Sequence, residues 1–304
     1  MSRVTLLGGT GFVGRHLAAR LVARGHSVQV LTRYRFRHTD MLVLPTLTLT
    51  QADVYDAGVL REAFAGSEAV INLVGILNER GHKGLGFREA HIMFTEGVIE
   101  ACRGAGLRRL LHMSALKADK QGPSHYLRTK GEAATAVLMT KQLEATVFEP
   151  SVIFGPGDSF LTRFAGLLKR LPLMPLAFPK ARFAPVYVGD VAAAFVHCLE
   201  KREGIGRHYA LCGPRIYSLR ELVTYAGQLT GNRRLILGLP RPAAWLQAAL
   251  MEWMPGKPFS LDNYRSLTVD SVSTEDGLGA LGIQATPLEA VAPTYLGGAR
   301  PQAA

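Results

Sequence analysis

A strand that runs straight into glycines spaced Gly8-x-x-Gly11-x-x-Gly14, with a helix starting at once, leaves few folds open. Gly8 permits the tight turn. Gly11 has no Cβ, so a pyrophosphate can approach the backbone. Gly14 lets the helix pack closely on the strand. The helix N-terminus then offers unpaired N–H groups and a positive dipole end to phosphates. A glycine triplet alone is weak, because glycine-rich turns are common. Here the strand before and the helix after supply the context that the motif requires.

The first half of the chain keeps this rhythm. Residues 4–7, 27–32, 43–50, 69–74, 109–113 and 145–148 read as strands. Residues 12–24, 56–64, 87–105 and 124–140 read as helices. The alternation predicts an α/β fold, a doubly wound parallel sheet with helices on both faces. After Pro150 the texture changes. Residues 155–158 form a turn cluster, and the proline-rich stretch 171–179 reads as a loop. Residues 186–199 read as a short strand and a helix returning to the main sheet. The expected division is a dinucleotide-binding domain over 1–154, with 183–203 returning to it, and a smaller C-terminal α/β lobe over 155–304 for substrate or partner.

The end of the second strand chooses between cofactors. An NAD-binding unit usually carries Asp or Glu there, accepting from the ribose 2′-OH. Here the position, 19 residues beyond Gly14, is Arg33, with Arg35, Arg37 and His38 close behind. An acid would repel a 2′-phosphate, whereas Arg grips it through charge-assisted hydrogen bonds. The expected cofactor is therefore NADP(H) rather than NAD(H). A solvated basic loop is the plainer alternative. Asp53-Val54 follows the third strand, where such a pair lies beside the adenine and Asp53 can accept from its amino group.

Tyr126-Leu127-Arg128-Thr129-Lys130 places Tyr and Lys four apart in a helix, so both project from one face. A phenol titrates near pH 10 in water. A neighbouring ammonium is expected to favour the phenolate and make proton exchange feasible at neutral pH. The same Lys130 can bind the nicotinamide ribose.

These residues resemble the extended and atypical short-chain dehydrogenase/reductases, the epimerase/dehydratase-like Rossmann proteins. The resemblance runs through 8–14, Asn72-Leu73-Val74-Gly75, His112-Met113-Ser114, Tyr126 with Lys130, Phe154-Gly155-Pro156 and Val188-Gly189-Asp190-Val191. A narrower match covers nearly the whole chain. His112-Met113-Ser114-Ala115-Leu116, residues 124–132, residues 150–155, Leu261-Asp262-Asn263-Tyr264-Arg265 and Pro293-Thr294-Tyr295-Leu296 are similar to the nucleotide-binding accessory subunits of respiratory complex I and their bacterial relatives. That resemblance implies tight NADPH binding, a role more structural than catalytic, and in some relatives a link to ubiquinone metabolism. Carried over by position, the backbone of Thr10, Gly11, Phe12, Val13 and Gly14 would hold the pyrophosphate. Arg33 would meet the 2′-phosphate, Leu73, Val74 and Gly75 would line the cofactor, and Pro150 and Val152 would flank the nicotinamide. Two positions depart from the superfamily. Leu116 stands where its catalytic Ser or Thr lies, leaving Ser114 as the substitute. His91 stands where the long helix carries an Asn that organises a proton relay. Without the orienting hydroxyl, half the oxyanion chemistry is missing. His91 reads better as a packed or solvated helix residue than as a relay.

The formal charge of the 304-residue chain is +11. Its basic residues are scattered and form no nucleic-acid motif, so anionic small molecules or an anionic membrane surface suit it better than nucleic acid. Cys102, Cys198 and Cys212 sit in apolar runs without a CxxC, as free thiols in a reducing compartment do. His208 and Cys212 are too few to make a metal site. The N-terminus lacks a signal-peptide pattern, and no stretch approaches the roughly 20 apolar residues that span a bilayer. The expected location is cytoplasmic, with room for attachment to the inner-membrane surface. Residues 242–254 form a helix apolar nearly all round, with two Trp and two Met. Such a helix is normally buried. Its alternative is a docking surface for a partner or a membrane interface.

Three functions fit. The first is a tight NADP(H) binder with a structural or assembly role at respiratory or quinone-related machinery. The second is an active NADPH-dependent oxidoreductase or epimerase using Tyr126 and Lys130. The third is a redox-sensing binding module.

Overall fold

The computed structural model describes residues 2–297. The first half alternates as its pattern predicts: β1 (Arg3–Leu7), α1 (Phe12–Ala23), β2 (Ser27–Thr32), β3 (Leu47–Gln51), α2 (Ala57–Phe64) and β4 (Ala69–Asn72). Residues 85–104 then form one helical run. It consists of α3 (Leu85–Phe87), a π-helical turn over Arg88–Met93, and α4 (Phe94–Gly104). β5 (Arg109–Met113), α5 (His125–Met139) and β6 (Glu144–Pro150) complete the half. Its inner strands β1 and β4 are buried almost throughout, as strands covered on both faces must be.

The second half adds β7 (Ile153–Phe154), α6 (Leu161–Arg170), β8 (Leu173–Leu176), β9 (Arg182–Phe183), β10 (Val186–Tyr187), α7 (Val188–Glu200) and β11 (Arg207–Leu211). After these come β12 (Tyr217–Ser218), α8 (Leu219–Leu229), β13 (Leu235–Gly238), α9 (Arg241–Met251), α10 (Leu261–Ser266), α11 (Gly277–Ala280) and α12 (Leu288–Leu296). The main sheet has seven strands, all parallel, in the order β11-β6-β5-β4-β1-β2-β3. The chain reverses its winding direction between β1 and β4, and ligands of such sheets bind beyond the carboxyl ends of the strands there. One face is covered by α1 and α7 through Leu17, Leu21, Val191 and Phe195. The other is covered by α2, α4 and α5 through Leu60, Phe64, Val98, Cys102 and Val137. A separate core in the lobe packs α6, α8 and α12 on β8 and β13.

Four details depart from the sequence pattern. The third strand begins at Leu47 rather than residue 43, because Arg35–Val43 winds into 3-10 turns. The stretch 171–179 is not all loop. Met174 and Leu176 point into the lobe core, and among the described residues β8 pairs only with β13. Pro175 is tolerated there because the pair is an isolated edge. β10 pairs with β7, so the strand that rejoins the main sheet is β11, beyond residue 203. Leu278 and Leu281 also pack into the first core. Finally, α9 is only half covered: Ala244 and Ala248 are buried, while Trp245, Leu246 and Leu250 face solvent.

Candidate cofactor and active site

Gly8 and Gly14 do what their spacing predicts for the backbone. Gly8 has φ +75°, and its carbonyl accepts from the Gly11 N–H at 3.1 Å. A Cβ on Gly14 would lie 2.4 Å from the Gly8 carbonyl oxygen and 2.5 Å from the Gly9 Cα. Gly11 is the N-cap of α1 and brings no side-chain cap. The first N–H groups of α1 are therefore open toward the strand ends. Arg15 braces the loop, its Nε donating to the Thr10 carbonyl at 3.1 Å while its guanidinium pairs with Asp40. That hydrogen bond holds the Asp40 carboxyl below the usual carboxylate range.

Arg33 is exposed at the end of β2. Its guanidinium carbon lies 5.9 Å from the Tyr34 ring centroid, and that of Arg37 lies 4.8 Å from it. Among the described residues, Arg33, Arg35 and Arg37 form no ion pair with a carboxylate. Their charge is available to a ligand. Asp53 is spent locally, accepting from the Tyr55 N–H at 3.1 Å, and Val54 packs against the second core.

A cavity of about 620 Å³ opens beside the loop. Gly8, Gly11, Phe12, Val13 and Gly14 line one side, with Leu73 and Gly75 from the end of β4. Ser114, Tyr126, Lys130, Pro150 and Val152 line the next. Thr10, Arg33, Asp53, Val54 and Val74 are not among the lining residues. Val74 instead donates its backbone N–H to the Asn72 side chain at 3.0 Å. Asn72 is a fully buried amide at the end of an apolar strand, and it turns the 73–75 loop. The far wall comes from the lobe and is mostly apolar, with Phe160, Phe164, Leu176, Phe183, Met251 and Leu267, while Arg163 and Asp270 add charge to it.

Tyr126 and Lys130 do share a face, but their acidities differ from the sequence expectation. Lys130 is buried, and its ammonium donates to the Met113 carbonyl at 2.7 Å. Burial pulls its pKa down to about 8. Burial pushes the Tyr126 phenol up to about 12 instead of down. Desolvation of the phenolate decides the sign here. Tyr126 is thus a neutral phenol at pH 7. The Ser114 hydroxyl donates to the Lys130 carbonyl at 3.3 Å, so it is tied to α5. Leu116 is buried and lines the cavity.

His91 is locked. Its Nε2 accepts from the Ile76 N–H at 3.1 Å, so its proton is on Nδ1, which lies 2.8 Å from the Thr129 hydroxyl. Burial, followed by the charge of Lys130, lowers its pKa to about 3. It is a neutral strut within the π-helical turn, and it clamps the 75–76 loop against α5. A Cβ on Gly75 would sit 3.2 Å from the Lys130 ammonium and 3.4 Å from His91 Nε2, which keeps that corner narrow.

A further residue fixes Tyr126. Asp262, buried at the start of α10, accepts from the N–H groups of His125 (2.7 Å) and Tyr126 (3.1 Å). It supplies an anion at the N-terminus of α5, where Ser124 caps the Leu127 N–H at 3.1 Å. Ser266 of α10 ties in by donating to the Ser124 hydroxyl at 2.8 Å. Nothing in the local sequence pairs Asp262 with a helix more than 120 residues upstream. Asp262→Ala should cost about 2 kcal/mol, the worth of a charge-assisted bond at a helix start. Asp262→Asn should recover part of it, and urea unfolding of the three proteins checks both.

A glycine-turned strand end, a buried Lys beside a half-buried Tyr, and a cleft at the switch point together form a dinucleotide site. Comparison with known proteins agrees. Residues 4–212 match the family described as the NAD dependent epimerase/dehydratase family. A mouse protein named NADH dehydrogenase [ubiquinone] 1 alpha subcomplex subunit 9, mitochondrial, is 31% identical over 297 residues, covering 94% of this chain and 77% of that one. A ceramide reductase of Caulobacter vibrioides is 29% identical over 252 residues, covering 82% of this chain and 77% of its own length. Among solved structures, a dTDP-glucose 4,6-dehydratase from Streptomyces venezuelae with NAD bound superposes with a TM-score of 0.74 at 19% identity, over 97% of this chain and 95% of that one. That last likeness is one of fold. With the glycine loop, the switch-point cleft and the match over residues 4–212 in agreement, this chain belongs to the NAD dependent epimerase/dehydratase family.

Proposed function

We propose that this protein holds NADP(H) in the cleft between β1 and β4, with a structural or assembly role beside respiratory or quinone-related machinery. The observation that carries the cofactor choice is Arg33, exposed at the end of β2 and free of any described carboxylate partner. A 2′-phosphate would meet Arg33 first and Arg35 or Arg37 second, where a family member using NAD would present an acid. Retention over turnover is supported by Leu116, by the tethered Ser114 hydroxyl, and by His91, which is neutral and committed at both ring nitrogens. The similarity to a mitochondrial NADH dehydrogenase subunit supports the setting.

The mostly apolar far wall of the cavity favours a second reading, a reductase of an apolar carbonyl compound. A bound reduced nicotinamide supplies a hydride. Tyr126, a neutral phenol at the cavity wall, would give the proton, and Lys130 would hold the ribose. The similarity to a ceramide reductase supports an apolar substrate.

One experiment separates the two readings. The purified protein is denatured and the released nucleotide identified. The stripped protein is then titrated with NADPH and NADH, alongside Tyr126→Phe. NADPH released near one per chain, and an affinity within about twofold in Tyr126→Phe, is the expected result. Turnover of an apolar ketone that Tyr126→Phe abolishes would replace the first reading with the second. A preference for NADH would overturn the cofactor choice.

A further inference from the structure

Helix α9 carries two apolar stripes. Ala244, Gln247, Ala248 and Met251 recur at helical spacing on the inner side, and Gln247 and Met251 line the cavity. Trp245, Leu246, Leu250 and Trp253 recur on the outer side and meet solvent, at 52%, 53%, 66% and 78% exposure. Trp253 and Met254 lie just beyond the helix end and extend this stripe. A soluble chain rarely leaves two tryptophans in such a row. The neighbouring strand pair is apolar and exposed as well. Leu173 of β8 lies opposite Leu235 of β13, and both are exposed along with Leu237. Gln247 donates to the Pro175 carbonyl at 3.3 Å and joins helix to strands.

The charge around this face has one sign. The segments that form this face, residues 167–177 and 231–251, contain five Arg or Lys and no Asp or Glu. Lys169 and Arg170 directly precede the exposed Leu171. Arg233 and Arg234 directly precede Leu235, and Arg241 opens α9. The acid next in sequence to α9, Glu252, is buried and turned toward His82, 3.0 Å away.

We infer that the outer face of α9 with β8 and β13 docks on an anionic lipid bilayer. Trp rings and leucines suit the boundary between headgroups and acyl chains, and a surrounding set of cations without acids suits an anionic headgroup layer. A second copy of this chain is a poor occupant, since two acid-free basic faces would repel. The position of α9 gives the docking a purpose. One stripe of the helix carries the outer patch and the other supplies Gln247 and Met251 to the cavity, so docking would bring the cavity's lobe wall to the bilayer surface.

The chain's only two tryptophans are Trp245 and Trp253, so intrinsic tryptophan fluorescence reports on α9 and the turn that follows it. The full-length protein is mixed with phosphatidylcholine vesicles, with or without about one-third phosphatidylglycerol, at low and high salt, and co-sedimentation is measured in parallel. A blue-shifted emission with the anionic vesicles at low salt, weakened at high salt, is expected. Trp245→Ser with Trp253→Ser should weaken co-sedimentation at least about tenfold, as should Arg170→Glu with Arg233→Glu, since each basic residue near an anionic surface adds about fivefold. All four positions are exposed, so the variants should keep the wild-type circular dichroism and melting point. Unchanged emission and no co-sedimentation at low salt would overturn the inference. So would vesicle binding equal to wild type in the tryptophan variant, or a partner-bound protein fraction that ignores both kinds of vesicle. Cofactor titration is a separate readout: vesicle binding without NADPH preference sinks the cofactor choice and leaves the docking face standing.

Discussion

Arg33→Asp should lower NADPH affinity about a hundredfold or more while leaving NADH within a few fold of wild type. Two effects add. The substitution removes charge-assisted hydrogen bonds worth about 1.5–3 kcal/mol to a phosphate, and it places a carboxylate against that phosphate. It also installs the acceptor that a ribose 2′-OH uses, so NADH loses nothing and can gain. Arg33 is exposed and has no described carboxylate partner, so its removal should not unsettle the fold. Titration of nucleotide-free protein with both dinucleotides measures the ratio directly. The NADPH arm should also weaken as salt rises, because an exposed guanidinium is screened. Equal losses for both dinucleotides would mean that Arg33 merely solvates the loop, and the cofactor choice would fall with it.

The parts of the site that were legible in sequence are those set by neighbours in the chain. Gly8, Gly11 and Gly14 announce themselves because a turn, a phosphate approach and a helix–strand contact are each local demands. Tyr126 and Lys130 are legible as a pair because four residues make one helical turn, give or take. The place of Arg33 is legible because it follows β2, the strand paired with the one that leads into the glycines; its role toward a cofactor is what the titration decides. What was not legible depends on burial or on distant chain. The acidity of Tyr126 was read from its charged neighbour, yet the desolvation of the phenolate outweighs it. His91 looked like a relay position or plain packing. Its two committed nitrogens follow from the Ile76 N–H and Thr129, which only the folded loop brings to it. Asp262 answers the N-terminus of a helix from the other lobe, and no periodicity encodes that. For α9 the pattern was informative and its usual meaning was not. A helix apolar all round is expected to be buried on all sides, whereas this one is buried along one stripe and presents the other.

Gly14→Ala tests the other half of the cofactor grip, and its effect should not distinguish between dinucleotides. The added Cβ would meet the Gly8 carbonyl oxygen at 2.4 Å, the Gly9 Cα at 2.5 Å and the Gly9 carbonyl carbon at 2.6 Å. All three are backbone atoms of the turn, so no side-chain rotation relieves the clash. Helix α1 must move off β1, or the turn must open. Overpacking of this kind costs about 3 kcal/mol, which in a chain of this size lowers the melting point by roughly 5–10 °C. The same displacement carries the first N–H groups of α1 away from the pyrophosphate, so NADPH and NADH should both be lost. Gly11→Ala is the informative companion. Its Cβ would meet only the Gly8 carbonyl, at 3.3 Å, and Gly11 is exposed at the helix start. The fold should tolerate it to within about 1 kcal/mol, while the methyl occupies the space the pyrophosphate needs. Thermal melts and dinucleotide titrations of the two variants should therefore diverge: both lose binding, and only Gly14→Ala loses stability. If Gly11→Ala binds NADPH as wild type does, the phosphates lie elsewhere and the glycine loop is only a tight corner between β1 and α1.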